Sequence, residues 1–255
     1  MIDERIGDLA SPLIIGSLTD RHAVATRRAF LRVLALGGAV ALLPGFAAAC
    51  ASDAATGPSN EIPGSGEPLL IDFAEGDVAI LQLALVIEQV QAEFYSRVVS
   101  SFETSNIGAA EQALLTEMRD HELAHREYLK GTLGASGEFT ASATFRGVAF
   151  TDRASVLAAA KSIEDLGVAA YNGAAQYLTG PDALLALAKI VSVEARHAAT
   201  VRDLLEPRTS DFASVATDDA FRPTKVAAAL QANLADKLGF ASAPATFVQG
   251  PNTNG

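Results

Sequence analysis

The sequence contains no tryptophan, a single cysteine (Cys50) and few aromatic residues, which make up 6% of its 255 residues. One cysteine excludes an internal disulfide, and it leaves no set of thiolates to select a soft metal. Basic residues are also scarce: 19 stand against 30 acidic residues, which gives a net charge of −11 at pH 7. This acidic balance argues against a nucleic acid as partner, and it is compatible with the attraction of cations.

Apolar residues make up 49% of the chain, and Ala, Leu and Val dominate among them. A chain of this length and composition can bury one sizeable core but is short for two. Proline and glycine cluster towards the two ends of the sequence. The composition therefore predicts one all-α domain with irregular tails.

Residues 1–49 have the pattern of a signal peptide. TRRAFLR at 26–32 precedes an apolar run at 33–49, which ends in AAA. The run is too short, and too rich in Gly and Ala, for a good membrane span. The paired arginines followed by Phe-Leu resemble a twin-arginine translocation signal, which exports proteins already folded, often with a metal or cofactor loaded. We therefore expect an exported, periplasmic protein.

Cys50 leaves two interpretations of the cleavage site open. Small residues before a cysteine resemble a lipoprotein site, although that pattern prefers Leu where this sequence has Ala47. The alternative is ordinary cleavage after the A-x-A at 47–49. The position of the only cysteine at this junction favours lipidation, and a lipid would be the protein's one contact with a membrane. Residues 50–71 are predicted to form a flexible tether.

Four segments between residues 72 and 206 repeat apolar residues three and four positions apart, the pattern of bundle helices. Each predicted helix carries one glutamate in a position that the period assigns to the core. These glutamates are Glu88, Glu122, Glu164 and Glu194. The pattern thus predicts four carboxylates inside one apolar bundle.

Each core glutamate has a characteristic partner on its own helix. The second and fourth helices have a histidine three residues later, and the first and third have a tyrosine seven residues later. In chain order these partners are Tyr95, His125, Tyr171 and His197. Three residues rotate a helix by about 300° and seven by about 700°, so each partner shares the face of its glutamate.

The order of these motifs indicates an internal repeat of one helical hairpin. The predicted connections at 103–110 and 179–182 are short, whereas residues 131–151 form a long link. Short, long, short is the connectivity of a four-helix bundle with one long crossover between its second and third helices. Residues 207–255 form a C-terminal extension, in which a short fifth helix is predicted to start near Pro223; packing on the bundle and a subunit contact both suit it.

Four glutamates in one apolar core must pair, protonate or bind metal, because an unpaired buried carboxylate is very costly. Two divalent cations match four carboxylates in charge, and two neutral imidazoles complete the donors. Bridging carboxylates hold such ions about 3.5–4 Å apart. The mixture of oxygen and nitrogen donors suits iron first and manganese next, and it also admits zinc.

These motifs resemble the ferritin-like superfamily, whose two-metal members use one Glu from each of two helices and E-x-x-H from each of the other two. AEFY (92–95) and EARH (194–197) are most similar to bacterial proteins of that superfamily related to the desiccation-related proteins. The resemblance covers about residues 72–206. It implies six metal ligands, Glu88, Glu122, His125, Glu164, Glu194 and His197. Glu122 and Glu194 would bridge, while Tyr95 and Tyr171 would hydrogen-bond the ligands.

The resemblance implies oxidation chemistry with oxygen or peroxide, of the ferroxidase or peroxidase type. The alternatives are metal binding without turnover and a structural, stress-protective role. Storage in a cage would need an oligomer, with which the sequence is compatible.

A zinc protease is a competing interpretation of HELAH (121–125), with His121 and His125 as ligands and Glu122 as base. It leaves the other core glutamates unexplained. We expect His121 to be exposed or hydrogen-bonded, although it can flank the metal site. We expect Gly167 to allow close helix packing, or else to leave room for a small molecule.

Overall fold

The computed structural model describes residues 68–242 and 246–248. The predicted signal peptide, Cys50 and most of the predicted tether lie outside the described residues. Four long helices and one short helix dominate the described part: α1 Asp77–Ser100, α2 Ala109–Leu133, α3 Arg153–Ala174, α4 Pro181–Leu205 and α5 Pro223–Leu230. Two short strands complete it, β1 Leu69–Asp72 and β2 Leu238–Ser242. The predicted all-α bundle is confirmed, including the start of its fifth helix.

The connectivity has the predicted short, long, short order. Helix α1 packs mainly against α2, and α3 packs mainly against α4, so the bundle consists of two helical hairpins. The long crossover between α2 and α3 passes over α1, where Gln89 holds it. The Gln89 side chain accepts a hydrogen bond from Ala141 N at 2.8 Å and donates one to Phe139 O at 3.3 Å.

Local signals in the sequence explain where the helices begin. Asp152 caps α3, since its carboxylate accepts a hydrogen bond from Ser155 N at 3.1 Å. Pro181 occupies the start of α4, where a missing N–H costs nothing. The carboxylate of Asp77 accepts hydrogen bonds from Thr179 N at 2.8 Å and Gly180 N at 2.7 Å, which ties the α3–α4 turn to the start of α1.

Helix α1 is the central element of the core. By length and composition it is apolar enough to cross a membrane, but 83% of its most apolar window is buried inside the protein. The neighbouring helices, the crossover and the strand β1 cover it from several sides. It is therefore the core helix of the bundle.

The tether predicted up to residue 71 needs a correction at its end, because Leu69–Asp72 form β1. This strand pairs in parallel with β2, with Leu69 opposite Leu238 and Ile71 opposite Phe240. The partner strand is far away in the sequence, so no local pattern reveals the pairing. The described part of the C-terminal extension packs on the bundle, the first of the two roles left open for it.

Gly173 on α3 lets the C-terminal extension approach the bundle closely. Phe221 N donates a hydrogen bond to Ala169 O at 2.8 Å. One helical turn further along, a Cβ on Gly173 would lie 1.9 Å from Phe221 O, which no side chain tolerates. The glycine therefore permits the contact between the extension and α3.

We predict that Gly173→Ala lowers the free energy of unfolding by about 1–3 kcal/mol, because the extension must move away from α3. Gly131→Ala is the matched control, since a Cβ at this exposed position on α2 meets no atom within 4 Å. It should raise stability by about 0.5–1 kcal/mol. Chemical denaturation of both variants checks the prediction, and equal effects of the two changes would contradict it.

Candidate metal centre

The four helices bring the four predicted core glutamates together near the middle of the bundle. Each helix contributes one of them, and their exposed fraction is 0% in every case. Their carboxylates and the two histidines form two overlapping groups of four residues. In each group, one ligand atom per residue lies within 4.8 Å of the others.

The first group consists of Glu88, Glu122, His125 and Glu194. Nδ1 of His125 lies 3.2 Å from Glu122 Oε2, 3.2 Å from Glu194 Oε1 and 3.4 Å from Glu88 Oε2. One ring nitrogen carries at most one proton, so it cannot donate a strong hydrogen bond to all three oxygens. Three carboxylates from three helices thus converge on the point that this nitrogen faces.

The second group consists of Glu122, Glu164, Glu194 and His197. Nδ1 of His197 lies 2.6 Å from Glu122 Oε1 and 3.7 Å from Glu164 Oε2. Despite this short distance, neither His197 Nδ1 nor Glu122 Oε1 has a hydrogen-bond partner, because the two atoms are not aligned for one. Both atoms face a common point, as two ligands of one ion do.

Glu122 and Glu194 belong to both groups, and their carboxylates therefore lie between the two points. Four of the ligand atoms are buried without a hydrogen-bond partner: Glu88 Oε2, Glu122 Oε1, Glu194 Oε1 and His197 Nδ1. Such atoms are costly unless something satisfies them. Carboxylate oxygens and imidazole nitrogens that converge in this way fit divalent ions, so the group can hold metal.

The sequence profile of the ferritin-like domain matches residues 76–207, just over half of the chain. The chain belongs to the ferritin-like domain family. Comparison with curated proteins gives no significant match. The fold and a buried Glu/His cluster that can hold metal agree with this family assignment.

Two tyrosines hold the outer oxygens of two glutamates in this ferritin-like domain. The Tyr95 hydroxyl, on α1, donates to Glu164 Oε1 at 2.6 Å, and the Tyr171 hydroxyl, on α3, donates to Glu88 Oε1. The two hydrogen bonds are reciprocal, since each tyrosine holds the glutamate of the other hairpin. Burial raises the pKa of both tyrosines well above the usual value, so both stay protonated and act as donors.

The electrostatics of the metal-free centre follow from its burial. Burial and the charge of Glu194 raise the pKa of Glu88 and of Glu164 well above 4.5, and they raise that of Glu122 to about 7. Burial alone would lower the pKa of His125, but the surrounding carboxylates outweigh it and raise this pKa to about 12. The metal-free protein thus keeps protons here that cations would displace.

Gln91 is the polar residue of the centre that the sequence reasoning missed. It lies on α1 one turn after Glu88, and its exposed fraction is 0%. Its Nε2 donates to Glu194 Oε2 at 2.6 Å and approaches Glu164 Oε2 at 3.4 Å. The signal was present as E-x-x-Q on the first helix, in register with E-x-x-H on the second.

His121 contacts the centre through His197 and not through His125. Its Nδ1 lies 3.0 Å from His197 Nε2, and the two rings stack at 5.3 Å with 7° between their planes. When His197 donates from Nε2, its Nδ1 lone pair is left to face the carboxylates. His121 is exposed and hydrogen-bonded, as expected. The protease interpretation needs His121 as a metal ligand beside Glu122 and His125, but neither ligand group includes it.

Gly167 on α3 has the packing role that the sequence predicts. A Cβ at this position would lie 3.0 Å from both Gln91 Nε2 and Glu194 Oε2. The Gln91 side chain fills the space that a small molecule would otherwise take.

Arg126 is a surface residue, since it pairs with the exposed Glu127 at 2.8 Å.

We predict that the free energy of unfolding of the metal-free protein falls as pH rises from about 5 to 8. The raised pKa values mean that the folded state binds more protons than the unfolded state in this range, so the slope is negative. The raised pKa of His125 acts in the same direction, and the lowered pKa of His197 opposes it below about 6.5. Denaturation of chelator-treated protein at several pH values measures the slope.

Saturating Mn²⁺ is the control for this prediction. Because the ligands must lose their protons to bind an ion, Mn²⁺ should reverse the slope of the free energy of unfolding against pH. Glu122→Gln should flatten the slope of the metal-free protein. A metal-free protein that becomes more stable towards pH 8 would show that these carboxylates are not protonated in the fold.

Proposed function

We propose that this ferritin-like protein binds two divalent ions, iron or else manganese, and uses them for oxidation chemistry with oxygen or peroxide. One observation carries the proposal: two groups of buried ligand atoms share Glu122 and Glu194, and several of these atoms lack any other partner. Two divalent ions balance the charge of four carboxylates. Oxygen and imidazole donors without a thiolate suit iron and manganese.

Each ligand has a distinct role in this proposal. Glu122 and Glu194 would be shared by the two ions, because they belong to both groups. Glu88 and His125 would complete the first position, whereas Glu164 and His197 would complete the second. Tyr95 and Tyr171 hydrogen-bond one oxygen each of Glu164 and Glu88, which would fix these carboxylates and leave their other oxygens to ligate the ions.

The bound ions would supply the electrons that reduce oxygen or peroxide. The protein's own contribution is to exclude bulk water and to fix the ligands. The glutamate side chains are 0% exposed, whereas that of His125 is 14% exposed, so solvent and small oxidants reach the centre most directly at the first group. Both tyrosines keep their hydroxyl protons and do not act as acids.

We also propose that the protein works outside the cytoplasm. The twin-arginine pattern at 26–32 supports export of a folded, metal-loaded protein into the periplasm. Cys50 would then carry a lipid and hold the domain near a membrane. The alternatives to oxidation chemistry are metal binding without turnover and a structural, stress-protective role, the latter supported by the resemblance to desiccation-related proteins.

Metal content per chain, measured by mass spectrometry on protein purified without added metal, tests the proposal. We expect about two iron or manganese ions per chain. Glu122→Ala removes a shared ligand and should reduce the content to well below one ion. His197→Ala removes a ligand of the second group alone and should cost at least one ion. Glu127→Ala is the control on the same helix, since this side chain is 60% exposed.

Anaerobic loading with Fe²⁺ followed by oxygen or peroxide then separates turnover from storage. Oxidation well above the rate of free Fe²⁺, and lost in Glu122→Ala, supports the oxidation chemistry. Two bound ions without faster oxidation would leave the non-catalytic alternative. No bound metal in the unmodified protein would exclude both.

A further inference from the structure

We propose that Gln91 makes the two ion positions unequal, because it holds Glu194 in the orientation that serves the first group and competes for the ligand oxygens of the second. This inference rests on the proposed two-metal function. Gln91 is a positioning residue in this view, since it acts through the glutamates and not on an oxidant.

Gln91 contacts one shared ligand, Glu194, and one ligand of the second group, Glu164. Its Nε2 donates to Glu194 Oε2 at 2.6 Å and lies 3.4 Å from Glu164 Oε2. Glu164 belongs to the second group only. In the described part of the chain Glu88, which belongs to the first group only, has no amide donor. Tyr171 donates to its Oε1, and its Oε2 lies 3.4 Å from Nδ1 of His125, a ligand itself.

The two oxygens of Glu194 are therefore in different situations. Oε1 lies 3.2 Å from His125 Nδ1, has no hydrogen-bond partner and faces the first group. Oε2 is engaged by the Gln91 amide at 2.6 Å. A carboxylate that bridges two ions uses both oxygens, so Glu194 can serve the second ion fully only if this hydrogen bond is weakened or shared. The first position has no such competitor.

The orientation of the Gln91 amide is fixed by its neighbours. A flipped amide would place Oε1 at 2.6 Å from Glu194 Oε2, and two acceptors repel at that distance. Oε1 has no hydrogen-bond partner, so the contact to the carboxylates is what holds this buried side chain. The side chain is a directed donor and not filler of the core.

The internal repeat shows that this contact is one-sided. Gln91 lies three residues after Glu88 on α1, and Gly167 lies three residues after Glu164 on α3. A Cβ at Gly167 would already lie 3.0 Å from Gln91 Nε2 and from Glu194 Oε2. The Gln91 amide occupies the space beside Gly167, so the two halves of the repeat present different surroundings to the two proposed ions.

Calorimetric titration of the metal-free protein with Mn²⁺ tests the inference. We expect two binding events whose dissociation constants differ at least tenfold. His197→Ala should keep the tighter event and His125→Ala should lose it, because the tighter position is the first group. At one equivalent of Mn²⁺, the electron paramagnetic resonance spectrum should be that of isolated ions.

Gln91→Met removes the amide donor and keeps the length of the side chain. It should tighten the weaker event and bring the two dissociation constants to within about threefold. Coupled ion pairs should then appear at one equivalent of Mn²⁺. Gln89→Met is the matched control, since Gln89 lies on the same helix, is buried and, among the described residues, hydrogen-bonds to the crossover backbone and not to the ligands. It can lower stability, but it should leave the ratio of the two constants unchanged.

The outcomes separate the inference from the function on which it rests. No Mn²⁺ binding by the unmodified protein would overturn the proposed metal function. Two equal affinities, or an unchanged ratio in Gln91→Met, would overturn the role of Gln91 and leave the metal function intact. If Gln91→Met does not fold, Gln91→Leu gives the same comparison, and the two histidine variants still decide which position binds more tightly.

Discussion

Four carboxylates buried in one apolar bundle are the constraint on which the rest of this structure depends. Four like charges cannot stay together in a medium of low dielectric constant without protons, hydrogen-bond donors or cations. Tyr95 and Tyr171 donate hydrogen bonds to one oxygen each of Glu164 and Glu88. Three inner oxygens have no hydrogen-bond partner: Glu88 Oε2, Glu122 Oε1 and Glu194 Oε1. That division is informative. Residues selected only for stability would satisfy the inner oxygens too, whereas a centre that must receive ions has to leave them available.

The layers around α1 are a consequence of the same constraint. Electrostatic control by the buried groups requires that bulk water be kept out, and α1 carries both Glu88 and Gln91. The crossover is fastened to this helix through Gln89, and the pair of parallel strands joins the two ends of the described chain beside it. On α3, Gly173 allows the C-terminal segment to lie against the helix backbone. The long crossover thus covers part of α1, which carries Glu88, and the extension covers part of α3, which carries Glu164.

The sequence predicts the parts of this arrangement that depend on helical periodicity. Each of the four glutamates interrupts an apolar seam, and Tyr95 and Tyr171 share the faces of their glutamates, so spacing alone places these residues in the core. Periodicity does not predict contacts between elements far apart in sequence. The pairing of β1 with β2 and the bond from Gln91 to Glu194 are both of that kind. The residue type of Gln91 gave no signal either, because a glutamine on the apolar face of a helix is commonly a tolerated polar residue. Its role follows only from its partner, Glu194.

The two halves of the predicted hairpin repeat differ at one position beside the centre, where one half has Gln91 and the other has Gly167. Two copies of one hairpin would give two equivalent ion positions, and the reciprocal tyrosine bonds show how closely the two halves still match. At the position three residues after the glutamate, however, the two halves differ, because a Cβ at Gly167 would crowd the Gln91 amide. The amide of Gln91 occupies the space in front of Gly167, and the absence of a side chain at Gly167 is what allows that amide to reach Glu194. The glutamine and the glycine are therefore a single structural unit. In the two-ion centre that we propose, one such pair is enough to make the two positions different, while all six proposed ligands keep their places.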